Sequence, residues 1–352
     1  MVESVRVLVV DDSSFFRNRI KHELERTGEI KVAGEAANGR EAVEMAASLN
    51  PDLITMDVAM PLMDGISAVR EIMRVHPTDI IMFSALTREG ARATLEALDA
   101  GAVDFLAKQD GIKSGTDSLA GQGLGERVIS IARAKQTGKA HVVSRPSTVK
   151  SQSAPIFRPS GSRHDSIKLV AIGASTGGPV AVQNVLTKLP ADYPYPVLVA
   201  VHMPAEFTAT FAERLDSLCR IKVKHACDND ALLSGQALIA PGGMQTLVDS
   251  RAEILRVKIR PGGDQLYKPS VDILFGSVAR SLGAAAQAVV LTGMGSDGTE
   301  GARMLKEQGS SVWSQDQATS VVYGMPYSVV KAGYSDRVMP LDEIGAALSG
   351  LA

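Results

Sequence analysis

Short apolar runs rich in β-branched residues alternate with segments of helical apolar spacing along most of this chain. Near the N-terminus the strand-like runs are Val5 to Val10, Leu53 to Met56, Ile80 to Phe83 and Asp104 to Leu106. The helix-like segments between them are Ser13 to Arg26, Gly39 to Ser48, Gly65 to Val75 and Thr87 to Ala100. Such alternation is typical of βαβ units, so it predicts an α/β domain with a doubly wound parallel sheet.

The alternation stops between Gln136 and Asp165 and then begins again. That stretch contains three prolines and six serines and has almost no apolar periodicity, so it predicts a linker. Beyond it, the strand-like runs are Lys168 to Ile172, Val197 to Val201 and Ala288 to Leu291, and the helix-like segments are Val180 to Leu189 and Thr299 to Gln308. We therefore predict two doubly wound α/β domains, over residues 1–135 and 166–352, joined by a linker over residues 136–165.

The composition supports two folded domains and excludes several classes of protein. A chain of 352 residues is long enough for two domains of about 100 to 200 residues each. Hydrophobic residues make up 45% of the chain and charged residues 22%, which argues against intrinsic disorder. The net charge of −2 comes from 37 basic and 39 acidic residues, so we do not expect nucleic acid to be the main ligand.

The predicted linker differs in charge from the rest of the chain. Its five basic residues and one acidic residue give it a net charge of +4, which leaves −6 for the remainder. We interpret the linker as a solvated tether, and a docking surface for an acidic partner is the alternative.

The sequence shows no sign of membrane insertion or secretion. No apolar run approaches the roughly 20 residues of a membrane span, and Asp11 comes too early for a secretory signal. The spacing of Cys219 and Cys227 fits neither a zinc site nor a disulfide framework, so we expect ordinary thiols. We therefore expect a cytoplasmic protein without direct membrane insertion.

Acidic side chains follow two strands of the first predicted sheet. Asp11 and Asp12 close the first strand, and Asp57 closes the strand that begins at Leu53. Because the carboxyl ends of parallel strands meet at one edge of a sheet, the three carboxylates should converge there. A hard divalent cation would relieve their mutual repulsion, and Mg²⁺ fits carboxylate ligands. For Asp12 a helix cap is the alternative role.

Two further polar side chains follow strands at the same edge. Ser84 follows the strand Ile80 to Phe83, and Lys108 follows the strand that begins at Asp104. A hydroxyl group and an ammonium group there would stabilise the negative charge of a transferred phosphoryl group. The sequence therefore predicts that Mg²⁺ and a phosphoryl group share this edge.

These motifs resemble the receiver domain of two-component response regulators, which has a flavodoxin-like fold. The resemblance covers residues 1 to about 130 and is carried by Val-Val-Asp-Asp-Ser, Met-Asp-Val-Ala-Met-Pro-Leu-Met-Asp-Gly, Phe-Ser-Ala and Phe-Leu-Ala-Lys, in that order. It implies that Asp57 is the phosphoacceptor and that a sensor histidine kinase is the phosphodonor. It also implies that Mg²⁺ is held by Asp11, Asp12, Asp57 and the backbone carbonyl of Ala59.

The resemblance assigns the switch residues as well. It implies that Ser84 and Lys108 sense the phosphate and that Phe105 is the switch aromatic. Receivers usually have a proline after the lysine, often in a cis bond, but Gln109 follows Lys108 here. Because a cis bond before a residue other than proline costs about 2.5 to 4 kcal/mol, we expect a trans or looser loop at this point.

A serine lies in a glycine-rich turn of the second predicted domain. The strand Lys168 to Ile172 runs into Gly173-Ala174-Ser175-Thr176-Gly177-Gly178, and a helical segment follows. This order is that of a nucleophile elbow, in which small residues permit the sharp turn and helix amides can stabilise an oxyanion. A phosphate-binding loop is the alternative, although the turn has neither the Gly-Lys-Ser/Thr of a Walker loop nor a clean G-x-G-x-x-G.

Two further residues complete a predicted catalytic triad. A serine nucleophile needs a general base, and His202 follows the strand that ends at Val201. Asp297 follows another apolar strand and would orient the imidazole. The chain order Ser175, His202, Asp297 differs from that of ordinary α/β-hydrolases, so it predicts convergence on a different sheet. His225 lies in a mixed polar segment and is the weaker alternative base.

Residues 166–352 resemble the catalytic domain of chemotaxis protein-glutamate methylesterases. The resemblance is carried by Gly-Ala-Ser-Thr-Gly-Gly-Pro, Val-His-Met-Pro, Ala-Pro-Gly-Gly, Lys-Pro-Ser-Val-Asp and Thr-Gly-Met-Gly-Ser-Asp-Gly. It implies a Rossmann-like domain whose serine hydrolase activity demethylates glutamyl methyl esters on chemoreceptors and releases methanol. It also implies deamidation of receptor glutamines, and activation of the enzyme by phosphorylation in chemotaxis adaptation.

The same resemblance implies roles for three more residues. The backbone amides of Thr176 and Met294 would form the oxyanion hole, and the esterase would need no cofactor. Asp272 is expected to help cap the following helix rather than take part in chemistry. Two other interpretations stay open: a receiver-controlled esterase with another substrate, and a non-catalytic regulator that binds a nucleotide or a protein at the glycine-rich turn.

Overall fold

The first of two α/β domains is built on a five-stranded parallel sheet. The computed structural model describes residues 4–108, 123–139, 167–250 and 254–351. The elements of the first domain are β1 Val5–Val10, α1 Ser14–Glu25, β2 Ile30–Ala36, α2 Gly39–Leu49, β3 Leu53–Asp57, α3 Gly65–Val75, β4 Asp79–Ser84, α4 Arg88–Asp99, β5 Asp104–Ala107 and α5 Leu124–Lys139. The strands pair in parallel in the order β2-β1-β3-β4-β5.

The second domain has a larger sheet of seven parallel strands. Its elements are β6 Leu169–Ala174, α6 Gly178–Leu186, β7 Val197–Val201, α7 Ala205–Leu218, β8 Lys222–His225, β9 Gln236–Ile239, β10 Met244–Asp249, β11 Arg256–Pro261, α8 Val271–Leu282, β12 Ala286–Val290, α9 Thr299–Glu307, β13 Ser311–Gln315, α10 Met325–Lys331, β14 Arg337–Met339 and α11 Leu341–Ser349. The sheet order is β14-β13-β12-β6-β7-β9-β8, and β10 and β11 form a separate antiparallel pair. The two parallel sheets confirm the predicted fold class.

The sequence pattern does not predict every element. The strand β2 lies at the edge of its sheet, and the polar residues Lys31 and Glu35 interrupt its apolar residues. The helix α5 continues through Gln136 to Lys139, past the predicted start of the linker. Residues 140–165 of that linker, and Gln109, lie outside the described part of the chain.

The three central strands of the second sheet place its candidate site. The strand β6 pairs with β7 on one side and with β12 on the other, and Gly173 lies opposite both Ala200 and Val290. Every residue of these three strands is buried, as expected for a parallel sheet covered on both faces. Because the strands are parallel and in register, the loops that follow them lie together at one edge.

The first domain packs against the second through β5 and its flanking helices. Phe105 in β5 stacks on Phe207 in α7, with ring centroids 4.5 Å apart and an interplanar angle of 19°. Arg88 of α4 pairs with Glu213 of α7 at 2.6 Å. Val322, from the loop after β13, is buried in an apolar cluster with residues of α5. The first domain therefore contacts loops at the edge of the second sheet where Ser175 lies.

Among the described residues, no helix is both long and apolar enough to cross a bilayer. The longest of these helices, α5, has sixteen residues and includes the charged residues Glu126, Arg127 and Arg133.

Candidate active site and acidic pocket

The Ser175 turn has the strand, turn, helix geometry that the sequence predicts. Ser175 follows β6 directly, its amide donates to the Thr292 carbonyl at 3.0 Å, and its carbonyl accepts from the Gly178 amide at 2.7 Å. Gly177 has a φ of +73°, a conformation that favours glycine, and α6 begins at the next residue. The turn therefore presents Ser175 at the N-terminus of a helix.

A second loop approaches the serine closely. A Cβ atom added to Gly293 would lie 2.8 Å from the Ser175 Cβ, so only glycine fits here without displacing the serine. The Thr292 hydroxyl donates to the Thr176 carbonyl at 2.9 Å and ties the two loops together. Thr176 and Met294 thus lie on adjoining loops beside Ser175, and their role as oxyanion donors stays a prediction.

His202 and Asp297 form a buried pair at the same edge. His202 Nε2 lies 2.8 Å from Asp297 Oδ2, and the two side chains are 4% and 2% exposed. The His202 amide donates to the Ala174 carbonyl at 3.1 Å, which places the end of β7 beside the Ser175 turn. The other ring nitrogen, Nδ1, is buried and has no hydrogen-bond partner among the described residues. Nδ1 is therefore the ring atom that can accept a proton from a serine.

The Asp297 carboxylate lies at the N-terminus of α8. It accepts hydrogen bonds from the Val271 amide at 2.7 Å, the Asp272 amide at 2.9 Å and the Ser270 hydroxyl at 2.9 Å. Burial by itself would raise the pKa of Asp297, but the His202 contact and these amides outweigh it, and the net pKa lies below the usual value. The site therefore keeps Asp297 ionised next to His202.

Asp272 and Asp297 bind each other's neighbouring helix: Asp297 accepts from amides at the start of α8, which contains Asp272, and Asp272 accepts from amides at the start of α9, which follows Asp297. Asp272 lies in the first turn of α8, and its Oδ1 accepts from the Gly298 amide at 2.9 Å and the Gly301 amide at 2.7 Å at the start of α9. Asp272 thus has a capping role, but at α9 rather than at the helix that follows its own motif, α8, which Ser270 caps instead. Burial, followed by the charge of Asp297, raises the pKa of Asp272 to about 6.

His225 makes a different kind of contact. Its Nε2 lies 3.0 Å from the Thr208 hydroxyl, which also accepts from the Gly242 amide at 3.1 Å. Burial lowers the pKa of His225. Its described hydrogen bond therefore ties α7 to neighbouring loops, and the geometry favours His202 as the base.

Sequence reasoning missed Tyr267 and the role of Ser270. The Tyr267 ring stacks on the His202 ring with centroids 4.4 Å apart and an interplanar angle of 7°. Ser270 caps α8 by accepting from the Ile273 amide and also donates to Asp297. The Lys-Pro-Ser-Val-Asp motif marked this neighbourhood, but no spacing rule indicated that Tyr267 would reach a histidine so distant in sequence.

The acidic pocket of the first domain forms where the sequence predicts it. Lys108 Nζ lies 2.9 Å from Asp11 Oδ2 and 2.8 Å from Asp57 Oδ2, and both carboxylates are buried. Asp57 Oδ1 accepts from the Val58 amide at 2.8 Å. Burial raises the pKa of Asp57, and the charge of Asp11 adds to this effect, although Lys108 acts in the opposite direction. The ionised form of the Asp57 carboxylate is thus stabilised by the positive charge of the neighbouring Lys108.

The donor set of this pocket suits a hard cation. One oxygen from each of Asp11, Asp12 and Asp57 can be chosen so that all three lie within 4.8 Å of one another, and Asp12 is exposed. Carboxylate oxygens are the ligands that Mg²⁺ prefers in proteins. Ala59 is exposed, two residues beyond Asp57. The direction of its carbonyl, and so its part in binding, stays a prediction.

The two predicted switch residues lie on neighbouring strands. Ser84 ends β4 and is buried, and Phe105 lies in β5 and is 6% exposed. The two strands end side by side: Lys108, the residue after β5, donates its amide to the carbonyl of Ser84 at the end of β4, at 2.8 Å. Phe105 connects this pocket to the second domain through its stack on Phe207.

Comparison with known proteins assigns the family. The model of the CheB methylesterase family matches residues 170–348, and that of the response regulator receiver domain matches residues 7–117. A protein-glutamate methylesterase/protein-glutamine glutaminase of Vibrio parahaemolyticus is 50% identical, with 97% of each chain covered. One of Pseudomonas putida is 51% identical, with 98% of each chain covered. The Thermotoga maritima CheB methylesterase catalytic domain is 37% identical with a TM-score of 0.52, and the match covers 53% of this chain and all of that one. The chain therefore belongs to the family of protein-glutamate methylesterases/protein-glutamine glutaminases that carry an N-terminal receiver domain.

Proposed function

We propose that this chain is a phosphorylation-activated serine hydrolase that demethylates glutamyl methyl esters on chemoreceptors and releases methanol. The observation that carries the proposal is the buried pair of His202 and Asp297, 2.8 Å apart, beside the Ser175 turn. The names of the relatives described above supply the substrate class. A nucleotide-binding regulator is not favoured, because such a protein would not need a histidine and an aspartate paired next to the serine.

The first half of the reaction forms an acyl-enzyme. The Ser175 hydroxyl gives its proton to His202 Nδ1 while its oxygen attacks the carbonyl carbon of the ester. Asp297 balances the positive charge of the imidazolium through the hydrogen bond to Nε2. The amides of Thr176 and Met294 donate to the oxyanion, and donors of this kind contribute about 3 to 4 kcal/mol each. The proton on His202 then passes to the departing methoxide, which leaves as methanol.

Water completes the reaction. His202 takes a proton from a water molecule whose oxygen attacks the acyl carbon, and the same proton returns to Ser175 as the ester bond to the serine breaks. The product is a glutamate side chain on the receptor. A glutamine side chain would follow the same steps with ammonia in place of methanol, so deamidation is part of the proposal. No step requires a cofactor in the esterase domain.

The receiver domain controls access to the serine in this proposal. Ser175 is only 5% exposed. Asp104, the first residue of β5, is buried and pairs with Arg127 of α5 at 3.1 Å. Burial raises the pKa of Asp104, while Arg127 and the amide of Gly177 act in the opposite direction. Since Gly177 belongs to the Ser175 turn, a receiver carboxylate lies against the same turn as the nucleophile.

Phosphorylation of Asp57 would loosen this contact through Phe105. The added phosphoryl group attracts the Ser84 hydroxyl and Lys108, whose backbones are already hydrogen-bonded to each other. Phe105 lies on the strand between that pocket and α7, so its repacking would end the stack on Phe207. A packing contact with two arrangements is sufficient to turn a local charge into a change of domain contact.

The receiver site would hold Mg²⁺ through Asp11, Asp12 and Asp57, with the Ala59 carbonyl as a further ligand. When bound, the ion neutralises charge on the phosphoryl group during transfer. Lys108 holds the ionised carboxylate of Asp57 in place. The phosphodonor would be a sensor histidine kinase, and the substrates would be the cytoplasmic domains of methyl-accepting chemoreceptors, which places the reaction in the cytoplasm.

Replacing the nucleophile tests the catalytic assignment. We expect Ser175→Ala to abolish methanol release from methylated receptor and labelling by a serine-reactive phosphonate. The control is Ser335→Ala, because the Ser335 hydroxyl bonds only to the Arg337 carbonyl among its described contacts. Methanol release near the wild-type rate in Ser175→Ala would overturn the assignment.

A phosphodonor experiment tests the control mechanism. We expect a small-molecule phosphodonor with Mg²⁺ to raise the rate of methanol release by wild-type enzyme and to leave the rate of Asp57→Ala unchanged. Equal activation of both proteins would contradict control through Asp57.

A further inference from the structure

We propose that Tyr267 is a positioning residue of the esterase. Its ring holds the His202 imidazole in the orientation that Ser175 and Asp297 both require, and it stabilises the imidazolium formed during acylation. This inference rests on the proposed serine hydrolase function and adds to it a residue outside the triad and the oxyanion amides.

The contact between the two rings is close and nearly parallel. Their centroids are 4.4 Å apart and their planes differ by 7°. Stacked rings attract each other, and the electron-rich face of a phenol ring also attracts a positive charge placed over it. The attraction therefore becomes stronger when His202 takes the serine proton, which is the condition for lowering the barrier of that step.

The stack restrains a tilt of the His202 ring that its hydrogen bond to Asp297 does not prevent. Asp297 holds Nε2, at one edge of the His202 ring. A single hydrogen bond at one edge still allows the ring to tilt about that point, and a tilt would move Nδ1 away from Ser175. Tyr267 covers the face of the ring and opposes the tilt.

The backbone of Tyr267 is itself held by one buried side chain. Gln245 of β10 is 4% exposed, and its Nε2 donates to the Tyr267 carbonyl at 2.6 Å. Its Oε1 accepts from the Ser270 amide at 2.8 Å. Ser270 in turn donates to Asp297. One short segment, residues 267–270, therefore contacts both members of the His202 and Asp297 pair.

The charged groups around Tyr267 keep its hydroxyl protonated. Burial raises the pKa of Tyr267, and the charges of Asp297 and Asp272 add to this effect, whereas Arg127 of the receiver opposes it. A neutral phenol ring acts through its face rather than as an acid or a base. The expected requirement at position 267 is therefore an aromatic ring, with or without the hydroxyl group.

The test compares substitutions that keep or remove the ring. Full-length enzyme is activated with a small-molecule phosphodonor, and kcat and KM for methanol release from methylated receptor are measured. We expect Tyr267→Leu to lower kcat about 10-fold to 30-fold with little change in KM, and Tyr267→Phe to stay within about twofold of wild type. The matched control is Tyr195→Leu, which removes the edge-to-face contact with Tyr193, whose ring centroid is 5.6 Å away. We expect its kcat to stay near the wild-type value.

Each result decides the proposal. Wild-type kcat in Tyr267→Leu, or an equal loss in Tyr267→Leu and Tyr267→Phe, would overturn it, because the ring face would then have no separate effect. If Tyr267→Leu does not fold, as judged by its thermal transition, Tyr267→Met is measured in its place. Wild-type kcat in Tyr267→Met, or a loss equal to that of Tyr267→Phe, would then overturn the proposal. Ser175→Ala is measured alongside: if it retains activity, the proposed function fails, whatever Tyr267 does.

Discussion

Asp57 of the receiver and Asp297 of the esterase occupy similar places but are held in opposite ways. Both lie at the carboxyl edge of a parallel sheet, and both are about 4% exposed. Burial raises the pKa of Asp57, with a further contribution from Asp11, and Lys108 only partly offsets this. Burial also acts on Asp297, but His202 and the amides of α8 outweigh it, so the pKa of Asp297 is lowered.

The opposite pKa shifts suit the two carboxylates to different roles: Asp57 to that of a switch, and Asp297 to that of a permanent counter-charge. Asp57 carries its charge at a cost that falls when a cation or another positive group arrives, as expected of a carboxylate that would respond to a bound Mg²⁺ ion. Asp297 receives hydrogen bonds from backbone amides of α8 that, with His202, hold its pKa below the usual value, and in the proposed mechanism it stays ionised throughout the reaction. In the proposed function the same residue type at the carboxyl edge of two parallel sheets thus serves regulation in one domain and catalysis in the other, according to which groups surround the carboxylate.

The largest expected effect comes from removing the fixed charge. We expect Asp297→Asn to lower kcat for methanol release about 10³-fold to 10⁴-fold, because a neutral amide neither orients His202 correctly nor balances the imidazolium. Asp272→Asn is the matched comparison, since Asp272 lies in the turn of α8 that binds Asp297 and caps α9 without a described bond to His202. We expect it to lose much less activity. Equal losses of kcat in the two variants would show that activity depends on the hydrogen bonds that cap the helices rather than on the charge of Asp297.

The strand-end residues could be predicted because parallel strands align their carboxyl ends. Ser175, His202 and Asp297 each come after a buried apolar strand; in the receiver Asp11 follows one and Asp57 ends another. The supporting contacts could not be predicted in this way. Ser270 reaches Asp297 across 27 residues of sequence, and no periodic pattern records that the two loops meet.

The unpredicted parts of the fold have physical reasons as well. The edge strands β8 and β14 are short and largely exposed, so they carry little apolar signal. The stack of Phe105 on Phe207 joins two domains, and each phenylalanine alone is indistinguishable from an ordinary core residue. Sequence patterns predict which face of an element is buried, but they do not predict which other element covers it.

The opposite pKa shifts predict opposite effects on stability. A lowered pKa means that Asp297 stabilises the fold above its ordinary unfolded-state value of about 4, and that this contribution is lost as the pH falls through the folded-state pKa. A raised pKa means that the contribution of Asp57 is present only below about pH 4 and is lost as the pH rises through its folded-state pKa. At neutral pH we therefore expect Asp297→Asn to lower the free energy of unfolding and Asp57→Asn to raise it, each on the order of 1 kcal/mol.

Urea unfolding followed by circular dichroism at several pH values checks this pair. Both differences from wild type should shrink as the pH approaches about 3, where carboxylates are protonated in the unfolded chain. Changes of the same sign at neutral pH would contradict the electrostatic contrast between the two sites.

The link between the switch and the esterase predicts a smaller effect on basal activity. We expect Phe207→Leu to raise phosphonate labelling of Ser175 without a phosphodonor about 2-fold to 10-fold, because it removes the stack on Phe105 but keeps apolar volume in α7. The further increase in labelling on addition of phosphodonor should then be correspondingly smaller than in wild type. Unchanged basal labelling would mean that the stack does not contribute to closure.

The smallest effect is expected from the ion pair at the same interface. Glu213 of α7 lies 2.6 Å from Arg88 and 3.9 Å from Arg92, and all three side chains are at least half exposed. Arg88 lowers the pKa of Glu213 through a hydrogen bond, but water and salt screen exposed pairs and leave them little net attraction. We therefore expect Glu213→Gln to change basal labelling by less than about twofold at physiological salt, with the difference growing at low salt. A change as large as that of Phe207→Leu would mean that charge, rather than the buried aromatic stack, holds the receiver over the serine, and the switch would then have to act on α4 instead of Phe105.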